Sequence, residues 1–204
     1  MLALVHTPAR ALYKNRDVGT SSGQFLKLGA DARAAAMGEA VDAFAQDPSA
    51  VYWNPAGLAG LTRRSATLTH SIYHQSVFYD FIAYGQPLES ILGKSQGRRV
   101  VESNELGSVA IGLLYLNAGS IHELDNTGAA TGEDFTPRDY AVMAAWGAPI
   151  TERLDLGIGV KFVNSRIEKT ASTGAADFGA RYQFRLGIFP IMLSLSAHNL
   201  GGNL

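Results

Sequence analysis

The sequence predicts an antiparallel β-barrel wall with a short helical segment ahead of it. Three observations predict this class. From Ala66 onward the hydrophobic period is two, the signature of strands with unlike faces. Two adjacent stretches, Leu154–Arg166 and Ala176–Leu186, have the length of a tilted membrane crossing, about 9 to 11 residues or more, where ordinary sheets use about five or six. Ahead of the strands, residues 29–61 (GADARAAAMGEAVDAFAQDPSAVYWNPAGLAGL) gather small residues and short helical signals between Asp-Pro and Asn-Pro breakers.

Composition narrows the field. The 204 residues carry 17 basic and 18 acidic side chains, a net charge of -1, with no basic stripe, so a nucleic-acid partner is not expected. Cysteine is absent, which excludes disulfides and thiolate chemistry. No run reaches the 18 to 20 apolar residues of a membrane-spanning helix, which leaves a strand-built crossing open. The start, MLALVHTPARALYKNRDVG, lacks the apolar core of a signal peptide, so an exported form would need a different start.

Taken in order, residues 1–22 read as a flexible lead-in and residues 23–61 as one small-residue unit. Within that unit ADARAAAM forms a short helix, Gly38 weakens it, a second turn runs from Glu39 to Ala45, and Asp47-Pro48 stops it. Asn54 is expected to cap a turn begun by Pro55, with Gly57 supplying backbone freedom. Residues 62–204 then hold seven predicted strands: 66–73, 77–85, 106–116, 138–149, 154–166, 176–186 and 189–198. Residues 88–105, with the pattern of one amphipathic turn, and 117–137 read as polar loops.

The strand faces differ in kind. Leu154, Leu156, Ile158, Val160 and Phe162 oppose Asp155, Gly157, Gly159, Lys161 and Ser165; Phe178, Ala180, Tyr182, Phe184 and Leu186 oppose Asp177, Gly179, Arg181, Gln183 and Arg185. In a membrane wall the greasy face with its terminal Tyr and Phe meets lipid, and the charged face lines a polar interior. A soluble sandwich with one wet face alternates in the same way and stays open as the alternative. In the barrel reading the residues 23–61 unit fills a lumen that wall side chains alone cannot.

The quoted residues also carry a likeness. GQFLKLGADARAAAMGEA (residues 23–40) and DPSAVYWNPAGLAGL (residues 47–61), followed by ADFGARYQF (residues 176–184) and LSLSAHNLGG (residues 193–202), resemble the PorV/PorQ-like group within the wider FadL-like outer-membrane barrels. The resemblance implies an all-β, antiparallel FadL-like barrel of the bacterial outer membrane, with residues 23–61 as luminal plug and 62–204 as the first half of the wall. By this likeness Asn54, Pro55, Ala56 and Gly57 match the NPAG motif of the plug, with Trp53 and Leu58 as its apolar neighbours. Partners implied are outer-membrane lipid and secretion machinery or exported proteins, bound through 87–105 or 117–137. The FadL branch implies instead a hydrophobic small-molecule ligand such as a long-chain fatty acid. Seven strands fall short of the family's full cylinder, so the expectation is a split or truncated frame, part of a longer protein, or assembly with other strands; a non-functional fragment or a structural β protein also fits.

Candidate chemistry is sparse. His70 and His74 straddle a strand end without a third ligand, and His122 lies beside Glu123 and Asp125 in a loop, so no metal site is expected. Gly157-Ile158-Gly159 sits inside a strand and makes room on the interior face rather than cradling a nucleotide. No nucleophile has a base partner in sequence, and neither catalysis nor a cofactor is expected. Asp31, Arg33, Asp155, Lys161, Asp177, Arg181 and Arg185 form a candidate interior charge network, in which Asp31 and Arg33 would bridge from the inner segment to the wall.

Overall fold

Branched and aromatic residues at every second position favour strands, because each can pack on one face of a pleated sheet while small or polar neighbours take the other. The computed structural model describes residues 23–73, 77–92, 104–124, 128–166 and 170–201. The expected lead-in at 1–22 and residues 93–103 of the first polar loop lie outside them. Among the described residues nine strands form: β1 (Ser65–Ile72), β2 (Phe78–Pro87), β3 (Ser108–Asn117), β4 (Ile121–Leu124), β5 (Ala130–Phe135), β6 (Arg138–Pro149), β7 (Leu154–Arg166), β8 (Thr170–Leu186) and β9 (Phe189–Gly201).

Seven of them make one sheet in the order β1-β2-β3-β6-β7-β8-β9, every neighbouring pair antiparallel. This sheet curls through about 185° into an open half-barrel. β4 and β5 pair as a separate hairpin between β3 and β6, where sequence alone predicts only loop. β8 starts at Thr170, six residues before its expected start, because TASTGA is small on both faces and shows no alternation.

The two faces sort as the alternation requires. Tyr79, Phe81, Ala83, Ala110, Leu114, Ala141, Met143, Ala145 and Val163 are buried on one side, against the segment from Phe25 to Leu61. On the other side Ile82, Ile111, Val142, Ile158, Val160, Phe178 and Leu195 stand exposed, Val160 at 63% and Leu195 at 75%. A single short segment that reaches six strands of a curled sheet, β2, β3 and β6 to β9, lies on its concave face.

That segment is a chain of short elements. After a 3-10 turn at Gln24–Lys27 come α1 (Ala32–Ala36), α2 (Ala50–Trp53) and a second 3-10 turn, Pro55–Gly60. Asp31 caps α1 by accepting from Ala34 N. Gly38 (φ 62) and Glu39 (φ 64) both take left-handed backbone and end it. The second helical turn expected over Glu39–Ala45 reduces to bonds from Phe44 N and Ala45 N to Val41 O.

Strand direction fixes which connections share an end. The β2–β3 connection, which includes α3 (Leu88–Ile91), lies with the β6–β7 and β8–β9 turns at the end where β1 begins. The β4–β5 hairpin projects from the opposite end. The described parts of the two long connections, 87–105 and 117–137, therefore sit at opposite ends of the sheet.

Candidate functional site

The site is built where the inner segment meets β6, β7 and β8. Antiparallel register places Gly147 opposite Gly157 and Gly157 opposite Gly179, so three glycines form a row across three neighbouring strands. Ser108 extends the row on β3 and Ser196 on β9. With no side chains in between, the main chain of Asn54–Ala56 lies directly on the wall. A Cβ on Gly147 would stand 2.1 Å from Pro55 O, one on Gly157 2.2 Å from Pro55 C, and one on Gly179 2.0 Å from Asn54 Oδ1. Gly159, one pleat along β7 on the same face, has nothing nearer than Ala145 Cβ at 3.4 Å.

The six motif residues each have a place in this seat. Asn54 Oδ1 accepts from Ala56 N at 3.0 Å and caps the Pro55–Gly60 turn, with Pro55 in its first turn. Asn54, Pro55, Ala56, Gly57 and Leu58 are all buried. Gly57 gives space rather than the expected dihedral freedom, since its Cβ would lie 1.9 Å from Ala45 O. Trp53 packs edge-on to Tyr52 and donates Nε1–H to Asp31 at 3.0 Å. Beyond the turn, Leu61 O accepts from Asn104 Nδ2 (3.2 Å) and Ser108 Oγ (2.9 Å).

The charged residues divide into three groups. Lys161 and Asp177 pair at 2.8 Å with their side chains almost fully buried, and Asn199 joins them, accepting from Lys161 Nζ at 3.2 Å and donating its N–H to Asp177 at 2.8 Å. Arg181 pairs with Asp155 at 3.1 Å and donates to Ala45 O at 3.4 Å. Asp31 and Arg33 stay within the inner segment: Asp31 holds α1 and Trp53, while Arg33 pairs with Asp47 at 2.8 Å, so neither makes the expected bridge to the wall. Arg185 is exposed and, among the described residues, joins neither buried pair.

Contacts between segment and wall run through residues that sequence reasoning passed over. The Tyr52 hydroxyl lies 2.8 Å from Leu26 O and 2.9 Å from Leu28 O, and Tyr79 on β2 donates to Leu28 O at 2.6 Å. Ser196 on β9 donates to Asp42 at 2.7 Å. Burial pushes the Tyr52 phenol well above its ordinary value, and the nearby Glu39 carboxylate adds to the shift. Beside these groups lies a cavity of about 360 Å³ lined by Lys27, Glu39, Asp42, Tyr52, Lys161 and His198, among others. The inner segment lines it with both apolar and polar residues, Leu26, Tyr52 and Trp53 beside Lys27, Glu39 and Asp42, and the wall adds Lys161, His198 and Asn199. Among the described residues no three potential metal ligands come together; His70–Asp80 and His122–Asp134 are separate exposed pairs.

No family model matches the chain, and no curated protein does either. The PorV/PorQ resemblance therefore rests on the quoted sequence phrases alone.

A methyl group on Gly157 has nowhere to go, because its neighbours are backbone atoms. Gly157→Ala is expected to lose about 3 kcal/mol or more of stability and to expose residues 47–61 to proteolysis, while Gly159→Ala stays within about 1 kcal/mol of wild type. Equal effects in a denaturant titration would contradict the glycine seat. Asp177→Leu alone strands a buried ammonium and is expected to cost about 3–5 kcal/mol, with much of that recovered in Lys161→Met/Asp177→Leu; a double variant no better than the single one refutes pairwise compensation. The raised Tyr52 pKa means the neutral phenol is favoured in the fold. Its contribution is complete below the ordinary tyrosine value of about 10 and falls away as pH rises beyond it. Trp53 fluorescence should report alkaline release of the segment, and Tyr52→Phe should blunt that change; an unaltered alkaline profile in Tyr52→Phe would count against it.

Proposed function

We propose that the chain forms part of the wall, and the internal plug, of an outer-membrane β-barrel of the PorV/PorQ kind, serving protein secretion or surface export without catalysis. One observation carries the reading: two aromatic rows bracket an aliphatic belt on the convex face. Phe78, Tyr115, Tyr140 and Phe162 lie toward one end, with rings 5.9 Å apart in the Phe78–Tyr115 pair and 6.4 Å in Tyr140–Phe162. Tyr84, Trp146, Tyr182 and Phe184 lie toward the other, Tyr182 stacked on Phe184 at 6.3 Å. Between them run Ile82, Ile111, Val142, Ile158, Val160 and Phe178.

Six residues separate the rows on β2 and on β6, Phe78 to Tyr84 and Tyr140 to Trp146, roughly 20 Å along a strand. At the ~40° tilt of outer-membrane strands this is roughly 15 Å of height, which fits inside the ~25 Å apolar band of such a wall. A sheet built for water on this face has no use for such a belt, whereas lipid rewards it. The Lys161–Asp177 and Arg181–Asp155 pairs lie on the concave side, as a wall with a polar interior requires, while the His70–Asp80 pair sits on the convex face beside Phe78.

The FadL-like reading, a channel for hydrophobic small molecules, calls for an apolar cavity against the plug. Among the described residues a cavity that touches the plug is instead of mixed lining, with Lys27, Glu39, Asp42, Lys161 and His198 beside Leu26, Tyr52 and Trp53. The apolar depressions, one between Leu156, Phe178 and Leu195 and one between Ile111, Trp146 and Val160, open on the convex face. This favours handling of a protein partner at the barrel's end over passage of a greasy solute, and the β4–β5 hairpin is the projecting element that such a partner would meet.

Val160→Lys separates the membrane reading from a soluble one. At the middle of a lipid-facing belt it is expected to lower the free energy of folding into lipid vesicles by about 2–4 kcal/mol. On a water-facing sheet it would change stability by about 0.5 kcal/mol at most, and the protein would extract without detergent. Vesicles carrying the wild-type protein are expected to take up a fluorescent long-chain fatty acid no faster than empty ones; accelerated uptake would move the assignment to the channel.

A further inference from the structure

Resting on the membrane reading above, we infer that the convex face holds a lipid with a phosphate monoester headgroup. Its phosphate lies between Arg138 and Arg166, and one acyl chain runs along β6 and β7 to the depression beside Ala144. The distribution of charge singles the place out. Among the described residues of the seven-stranded sheet, strand alternation puts only four ionisable side chains other than tyrosine on the convex face: His70, Asp80, Arg138 and Arg166. His70 and Asp80 pair with each other. Arg138 and Arg166 stand directly opposite in the β6–β7 register, both exposed. Neither guanidinium has a hydrogen bond or ion pair among the described residues.

Like charges directly opposite on antiparallel strands have Cβ atoms about 4.5–5.5 Å apart and repel. No acid in the neighbouring rows relieves them. Across the sheet their row reads Phe78, Asn117, Arg138, Arg166 and Thr170, and the next row inward reads Asp80, Tyr115, Tyr140, Asn164 and Ser172. Asp80 is held by His70, while Asp139 lies on the concave face and accepts from Ser165. An anion between the two guanidiniums turns the repulsion into two charge-assisted contacts. A phosphate monoester, which carries close to two negative charges at neutral pH, matches the pair; a diester carries one.

Depth makes the ligand a lipid rather than free phosphate. Inward from the arginines the convex face turns apolar through Val142 and Phe162, and six residues along β6 from Arg138 stands Ala144. The register sets Ala144 between Ile111 and Val160, and this small residue opens a depression of about 300 Å³ that Trp146 and Ile158 help to line. Six residues cover roughly 20 Å along a strand, or about 15 Å of height at the ~40° tilt of a membrane wall. Half of the ~30 Å hydrocarbon thickness, the depth of one leaflet, is the same distance. A lipid whose phosphate sits between the arginines therefore brings the end of its chain to the depression.

The full chain is refolded in maltoside micelles and titrated with dioleoyl phosphatidic acid, phosphatidylglycerol or phosphatidylcholine, and bound lipid is counted by native mass spectrometry. One phosphatidic acid per chain is expected, held at least about tenfold more tightly than phosphatidylcholine, with singly charged phosphatidylglycerol between them. Arg138→Gln/Arg166→Gln should abolish the preference. Since the arginines repel, that variant should withstand denaturant as well as wild type in micelles alone, and phosphatidic acid should protect only the wild type. Ala144→Phe fills the depression and leaves the arginines in place; it should weaken dioleoyl phosphatidic acid about fivefold and leave the dihexanoyl form unchanged. Equal binding of phosphatidic acid and phosphatidylcholine, a preference that survives the double substitution, displacement by equimolar inorganic phosphate, or an Ala144→Phe chain that binds both chain lengths as wild type does overturns the inference. Failure of the membrane reading shows differently, as extraction without detergent and a neutral Val160→Lys. A chain that folds into vesicles yet shows no lipid preference defeats this inference alone.

Discussion

The main chain of Asn54–Ala56 lies on three aligned glycines, and the rest of the interior is arranged around keeping that contact free of side chains. Hard-sphere exclusion sets its terms. A backbone cannot approach a strand this closely over a Cβ, so Gly147, Gly157 and Gly179 must occur in register and on the concave face together. Asn54 then uses its carbonyl oxygen to hold the turn closed, while Pro55 fixes the entry angle with its constrained φ. Leu58 follows the seated residues against Gly147, and Trp53 before them turns back to Tyr52 and Asp31.

Two further layers secure the arrangement. Buried ion pairs on β7 and β8 flank the row, and each takes up a neighbouring backbone group: Asn199 N–H at Asp177, Ala45 O at Arg181. A lone charge in that position would be far less tolerable than the pair. Tyrosine hydroxyls on α2 and β2 converge on the carbonyls of the half-buried Leu26 and Leu28. Polar contacts thus hold the interior at its margins and bare backbone packs at its centre, where the buried Asn54 Nδ2 has no hydrogen-bond partner among the described residues.

How much of this the sequence disclosed follows from the range over which each signal acts. Period-two alternation is local, so β7 could be placed to the residue and the seven wall strands recovered in order. Thr170–Ala175 shows no contrast of bulk and was invisible to the same test, and β4 and β5 are too short and polar to alternate. The Asn54 cap, a contact two residues long, was legible; the Gly57 contact with Ala45 was not, because it depends on a fold back across α2. The glycine row escaped for a deeper reason: Gly147, Gly157 and Gly179 are unremarkable singly, and only hairpin register makes them neighbours. Asp31 and Arg33 were read as reaching outward because their local partners, Ala34 N, Trp53 and Asp47, are equally reasonable acceptors and donors that spacing alone does not rank.

The seat also has a temporal side. The residues that dock on it come early in the chain, yet Arg181 bonds to a carbonyl 136 residues before it, and Ser196 to a carboxylate 154 residues before it. The surface that receives Asn54–Ala56 does not exist until β8 has zipped onto β7. Loop closure over such distances is entropically slow and contributes nothing until complete. The inner segment, made before the wall that receives it, thus finds its place late, and until then its apolar residues must be kept from wrong partners by something other than the native wall.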